Sequence, residues 1–232
     1  REEVLDARLT TTLDGIVCGY AASRPVKNAL DRLQKTNTPV VYLNPHFPSP
    51  RSNYVLVENY HASVELMRHL IRLGHRKIGF IGITQRYRYA RERERAYRDV
   101  MEENGITIQP SWLLRMDGAL EDYASAIPSW WEENSALTAL FVAGGSLQPA
   151  LFTFLQERGI QVPDDVSVVA FDKGDINDLG IEPTCVRQPL EKVARRSIEV
   201  IIGLKEGRLK PPVHSIEIPD VLLGKSCCAV SS

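Results

Sequence analysis

Cysteine is scarce in this chain, and its apolar residues never run long enough to cross a membrane. The four cysteines, Cys18, Cys185, Cys227 and Cys228, show no metal-ligand spacing, and two of them are adjacent. That excludes a disulfide-stapled scaffold and fits reduced thiols in a cytoplasm. No segment approaches the roughly 20 apolar residues of a bilayer span. The opening residues, Arg1-Glu2-Glu3-Val4-Leu5-Asp6, are too charged for the apolar core of a signal peptide. Neither sign of charge is in excess: 28 Lys and Arg against 29 Asp and Glu give a net charge of −1. No global basic field therefore draws the chain to nucleic acid or anionic membrane, and DNA binding would need a part not present here. Catalytic signatures are missing too. There is no Ser/His/Asp order, H-E-x-x-H, P-loop or G-x-G-x-x-G, and no metal or cofactor is expected.

What is present is ordinary in bulk and ordered in detail. The 232 residues are 44% hydrophobic and 25% charged, enough for one large or two small globular domains. The most informative stretch runs Val162-Pro163-Asp164-Asp165-Val166-Ser167-Val168-Val169-Ala170-Phe171-Asp172. A polar turn feeds a β-branched and apolar run that ends in a carboxylate, the pattern of a parallel strand buried on both faces. In open parallel sheets ligands bind beyond the carboxyl ends of strands, which is where Asp172 stands.

Further strands are expected at residues 13–19, 39–43, 54–57, 77–82, 137–142, 184–186 and 213–218. Helices are expected near 25–36 and at 61–73, 91–104, 147–158 and 190–204. Gly74, Gly105 and Gly159 are placed to stop three of them. Strands alternating with helices of this length predict an α/β fold with parallel sheets covered on both faces.

Seven motifs, in order, carry a resemblance. They are Leu13-Asp14-Gly15-Ile16-Val17, Thr38-Pro39-Val40-Val41-Tyr42-Leu43-Asn44, Val57-Glu58-Asn59-Tyr60-His61-Ala62, and His69-Leu70-Ile71-Arg72-Leu73-Gly74-His75-Arg76-Lys77-Ile78. Leu137-Thr138-Ala139-Leu140-Phe141, the 162–172 stretch and Gln188-Pro189 complete the set. Together they resemble the effector-binding core of the lactose/galactose repressor family of bacterial transcription regulators. The resemblance implies two Rossmann-like subdomains with parallel sheets joined by three crossovers, of the periplasmic-binding-protein-like type I, with a small molecule bound between them. The first subdomain would be residues 1–57 with 188–218, and the second 58–187 with 219–232. Against the family pattern the chain is N-terminally incomplete. The DNA-binding headpiece, the hinge helix and the first strands of the first subdomain have no counterpart. An exposed strand edge is expected there, a site of association or aggregation.

Candidate binding residues follow. Arg93 lies one turn before Tyr97 on the apolar stripe Tyr97, Val100 and Met101, so its guanidinium would point inward and need acceptors. The other reading makes it one member of a solvated Arg/Glu run over residues 91–95. By resemblance Arg93 matches an arginine that holds ligand hydroxyls or carboxylates, with Ala96 in place of a glycine. Asp172 matches the first aspartate of the family's "G-F-D-D", able to accept bonds from vicinal hydroxyls or ring N–H groups, or else a turn or cap. Lys173 replaces the second aspartate.

Gly144 and Gly145 stand where many members carry "N-D", which removes side-chain donors but admits close backbone approach. Asn44 replaces the usual aspartate after its strand, or is a turn residue before Pro45. Tyr87 and Tyr89 could stack on a ligand ring or be exposed loop aromatics. Gln188 could be a hinge, a ligand contact or a strand end. His75 reads as a structural contact in its turn, and Trp130-Trp131 as one core and one surface ring.

The sequence thus points to a cytoplasmic, non-enzymatic, effector-sensing domain of a repressor-type regulator. Its partners would be a sugar or related polar metabolite, a second copy in a homodimer, and operator DNA only through the headpiece. An extracytoplasmic sugar-binding protein of a transporter is the first alternative. An enzyme on a doubly wound fold is the second.

Overall fold

The apolar run that ends at Asp172 forms a strand, Ser167–Phe171, buried at every position. The computed structural model describes residues 13–19, 30, 38–44, 50–83, 87–116, 120–173 and 180–230. The helix expected near 25–36 lies outside them except at Leu30. In chain order the elements begin with β1 (Ile16–Cys18), β2 (Val40–Leu43), β3 (Asn53–Val57), α1 (Tyr60–Arg72), β4 (Ile78–Ile83) and α2 (Arg88–Glu103). Next come β5 (Leu113–Met116), α3 (Leu120–Glu133), β6 (Ala139–Val142), α4 (Gln148–Glu157) and β7 (Ser167–Phe171). The last are β8 (Thr184–Arg187), α5 (Leu190–Lys205), β9 (His214–Glu217) and β10 (Asp220–Leu222). They fall into two units, Arg1–Glu58 with Pro189–Ile218, and Asn59–Gln188 with Pro219–Ser232.

The first unit carries a parallel sheet in the order β1-β2-β3-β9. Helix α5 covers one face, where Val193, Val200 and Ile201 pack on Val41, Val55 and Val57. Leu30, Val40 and Tyr42 form the cluster on the opposite face. Alternate strand residues thus feed opposite cores, as strand geometry requires.

The second unit holds a sheet in the order β10-β8-β7-β6-β4-β5, parallel except for the antiparallel strand β10. Helices α1 and α2 cover one face, where Leu66, Met67, Leu70, Tyr97, Val100 and Met101 meet Phe80, Phe141 and Phe171. Helices α3 and α4 cover the other, through Tyr123, Ile127, Leu151 and Phe154 against Ile81, Leu140, Val142 and Val168. Each such side chain, fully buried, contributes about 1.5–3 kcal/mol. The glycines that stop α1, α2 and α4 all take positive φ: Gly74 at 92°, Gly105 at 67° and Gly159 at 67°.

Three elements lie outside the sequence expectations: the edge strand β5, helix α3 with Pro128 inside it, and the short strand β10. Trp130 is buried and donates its indole N–H to the Ser111 carbonyl at 2.7 Å. Trp131 is half-buried against the Phe154 ring, so the pair expected to give one core and one surface ring gives no fully exposed one.

Candidate functional site

The order β5-β4-β6-β7-β8 reverses direction between β4 and β6, so the second unit's switch point lies at their carboxyl ends. The candidates of this unit gather around that edge of the sheet. Helix α2 starts at Arg88, three residues earlier than the hydrophobic stripe suggested, which puts Tyr89 in its first turn and Arg93 in its second. The solvated reading of residues 91–95 does not hold, because Arg93 and Glu94 are 4% and 0% exposed.

Three groups fix the Arg93 guanidinium. Its Nε and Nη2 both donate to Asn59 Oδ1, at 3.0 and 2.9 Å. Nη1 donates to the Ala143 carbonyl, just past β6, at 2.8 Å. Its Cζ lies over the Phe171 ring, 3.5 Å from the centroid, and 5.0 Å from the Tyr89 centroid. A guanidinium has five N–H donors. One therefore stays uncommitted on each terminal nitrogen among the described residues. Burial lowers the Arg93 pKa to about 10, against the pull of Asp172, Tyr89 and Glu92. The group is a cation at neutral pH, and it makes no ion pair among the described residues.

Asp172 follows β7 directly and sits at φ 80°, a left-handed backbone that costs a non-glycine residue about 1–2 kcal/mol. Such strain persists only where neighbours impose it. Here the Asp172 N–H donates to Val186 O at 3.0 Å, and its carbonyl accepts from Gln148 Nε2 at 2.8 Å. Its carboxylate accepts from Gln188 Nε2 at 2.5 Å and from the Gly145 N–H at 3.4 Å. Gly144 adjoins this contact. Tyr87 and Tyr89 stack on each other, with centroids 5.5 Å apart, and both are half-buried rather than loop-exposed. Burial raises the Tyr89 pKa, with Arg93 opposing.

Asn44 belongs to the first unit. Its Oδ1 accepts from the Val57 N–H at 2.8 Å, and φ is 41°, a turn conformation that asparagine tolerates. His75 bonds Thr138 Oγ1 at 2.9 Å and the Cys228 carbonyl at 3.1 Å, a structural tie.

Residues 67–227 match the periplasmic binding protein-like domain. The chain belongs to that family. Among its relatives, the HTH-type transcriptional repressor PurR of Photobacterium profundum is 26% identical over 206 residues, which cover 86% of this chain and 60% of the relative. The HTH-type transcriptional regulator DegA of Bacillus subtilis is 27% identical over 216 residues, covering 92% of this chain and 64% of the relative. The chain thus spans less than two thirds of the length of either. A LacI family transcriptional regulator from Enterococcus faecium, solved with bound ribose, superposes with a TM-score of 0.84. It is 19% identical, with 99% of this chain and 86% of that one covered. The resemblance to lactose/galactose-type repressors carried by the motifs is borne out by these family relatives, and so is the α/β fold of parallel sheets.

Two residues of the site escaped the sequence reading. Asn59 stands at the N-cap of α1, one residue nearer the helix than expected, but its side chain makes no capping bond and serves Arg93 instead. Gln148 reads as a first-turn helix residue. It is 1% exposed, tied to Asp172 through Nε2, and its Oε1 has no partner among the described residues.

Proposed function

We propose that this chain is the effector-sensing domain of a bacterial repressor-type regulator, and that its effector is a small polar metabolite, a sugar or a derivative of one. One observation carries this reading: a buried, charged Arg93, with two N–H groups uncommitted among the described residues, stands in the electrostatic reach of Asp172, which is held in a strained backbone. A buried cation is costly unless it has acceptors to meet, and an oxygen-rich ligand supplies them. Asp172 in turn accepts from ligand hydroxyls. Gly144 leaves the backbone open to close approach, while Gly145 makes room for Asp172, and Tyr87 and Tyr89 provide a ring surface. Gln188 meets the same carboxylate. Asn44 is included on the resemblance alone.

In this reading effector binding changes the DNA affinity of a headpiece, in a cytoplasmic homodimer. The effector acts only through its differential affinity for the two arrangements of the protein. The HTH-type relatives support a regulator over a transport-associated binding protein. The test is a thermal-shift screen of this chain against pentoses, disaccharides, sugar phosphates and nucleobases. A ligand that binds only the native state raises the melting temperature by mass action, by about 2.7 kcal/mol of stability at a hundredfold excess over Kd. A hit lost in Arg93→Ala and in Asp172→Ala bears out the site. A hit unchanged in both variants places the effector elsewhere.

A further inference from the structure

The two charged binding candidates, Arg93 and Asp172, are each held by an amide side chain where the chain passes from one unit to the other. Asn59 is the first residue of the second unit after Glu58, and it binds Arg93. Gln188 is the last residue of that unit before Pro189, and it binds Asp172. The amides are used in opposite senses: a carbonyl oxygen toward the cation, an N–H toward the carboxylate. We infer that Asn59 is a positioning residue, which fixes the plane of Arg93 from the crossover so that its two remaining N–H groups stay presented to the effector.

Three features support this. Asn59 is 2% exposed, so its bond to Arg93 is shielded from water. Its single oxygen takes both N–H groups on the Nε edge, which sets the guanidinium orientation as one bond could not. Its side chain does not cap α1, although asparagine is among the best capping residues, so the position is committed to Arg93 rather than to the helix. The choice of amide over carboxylate also matters. A neutral acceptor orients the cation without neutralising it, leaving its charge for the ligand.

The inference rests on the reading of Arg93 as an effector-binding group, but its test does not need the effector. In the ligand-free chain the Arg93 Nε–H is followed by proton exchange in 15N NMR, assigned by its loss in Arg93→Lys. Backbone amides of β6 and β7 report global opening. Asn59→Ala should speed Nε–H exchange by about tenfold or more, as loss of a bond to a charged group predicts, with β6 and β7 unchanged. Asn59→Ser, which can cap α1 but cannot reach the guanidinium, should do the same while preserving the helix start. Asn59→Asp should restore slow exchange.

Exchange within about twofold of wild type in both Asn59→Ala and Asn59→Ser would overturn the positioning role. The thermal-shift panel is read separately, with D-ribose and cellobiose as probes. If either binds wild type, Asn59→Ala should weaken it, and undiminished binding overturns the inference. If no probe binds wild type, only the functional reading is in question, since the exchange result stands by itself.

Discussion

A side chain at Gly145 would strike Asp172: a Cβ built there lies 2.9 Å from the Asp172 Cβ. The glycine is thus required by space, and its N–H also donates to the carboxylate it makes room for. Gly145→Ala should push Asp172 out of its position against Gln188 and Gln148. The expected cost is about 1–3 kcal/mol in chemical denaturation, as for other overpacked sites, together with loss of the effector response. A variant with wild-type stability and response would show that Asp172 has freedom to move.

Asp172→Asn separates strain from function. Asparagine tolerates positive φ at least as well as aspartate, and it keeps an acceptor for the Gln188 N–H. Stability should therefore stay within about 0.5 kcal/mol of wild type. Effector affinity, once a ligand is identified, should fall by about tenfold or more, because a charged acceptor becomes a neutral one. Isothermal titration and thermal melts on the same preparation decide it. A matched fall in both would make Asp172 a structural group.

The parallel strands were legible because burial on both faces leaves continuous apolar runs, as at residues 139–142 and 167–171. The helix stops were legible because glycine supplies positive φ at no steric cost. Helix α3 was hidden by Pro128, which reads as a helix breaker. The edge strands β5 and β10 are three or four residues long and partly exposed, too short for periodicity to register. At the site, the inward face of Arg93 follows from its place on the Tyr97 stripe. The Asn59–Arg93 contact spans 34 residues and leaves no periodic trace. The resemblance motif included Asn59 without showing what its side chain meets.

Acid should weaken the fold through His75. Burial lowers its pKa below the ordinary 6.5, opposed in part by its bond to the Cys228 carbonyl. A carbonyl only accepts, so Nε2 carries the proton in its bond to Cys228. The unfolded chain therefore binds a proton at higher pH than the folded one, and stability must rise with pH over that window. The contribution is fully present above about pH 6.5 and is lost as pH falls through the lower folded value. His69, also lowered by burial, acts in the same direction. Melting temperatures between pH 7.5 and 5 should fall in wild type and fall less steeply in His75→Gln. Parallel curves would rule His75 out as a contributor.

Glu94 poses the opposite problem, a carboxylate with no exposed surface. Its Oε1 is paired with Arg98 at 2.7 Å on α2 and with Arg115 at 3.3 Å on the edge strand β5, while Oε2 has no hydrogen-bond partner among the described residues. Both arginines are partly exposed, so either alone can still neutralise the buried charge. Arg98→Ala and Arg115→Ala should each cost only about 1 kcal/mol, in the range of exposed pairs. Together they strand a buried anion, and the double variant should lose about 3–5 kcal/mol. A double-mutant cycle by urea denaturation should thus give a coupling of about 1–3 kcal/mol. Additive losses would mean that Glu94 escapes to water when one arginine is removed. The pairing would then not be what ties α2 to β5.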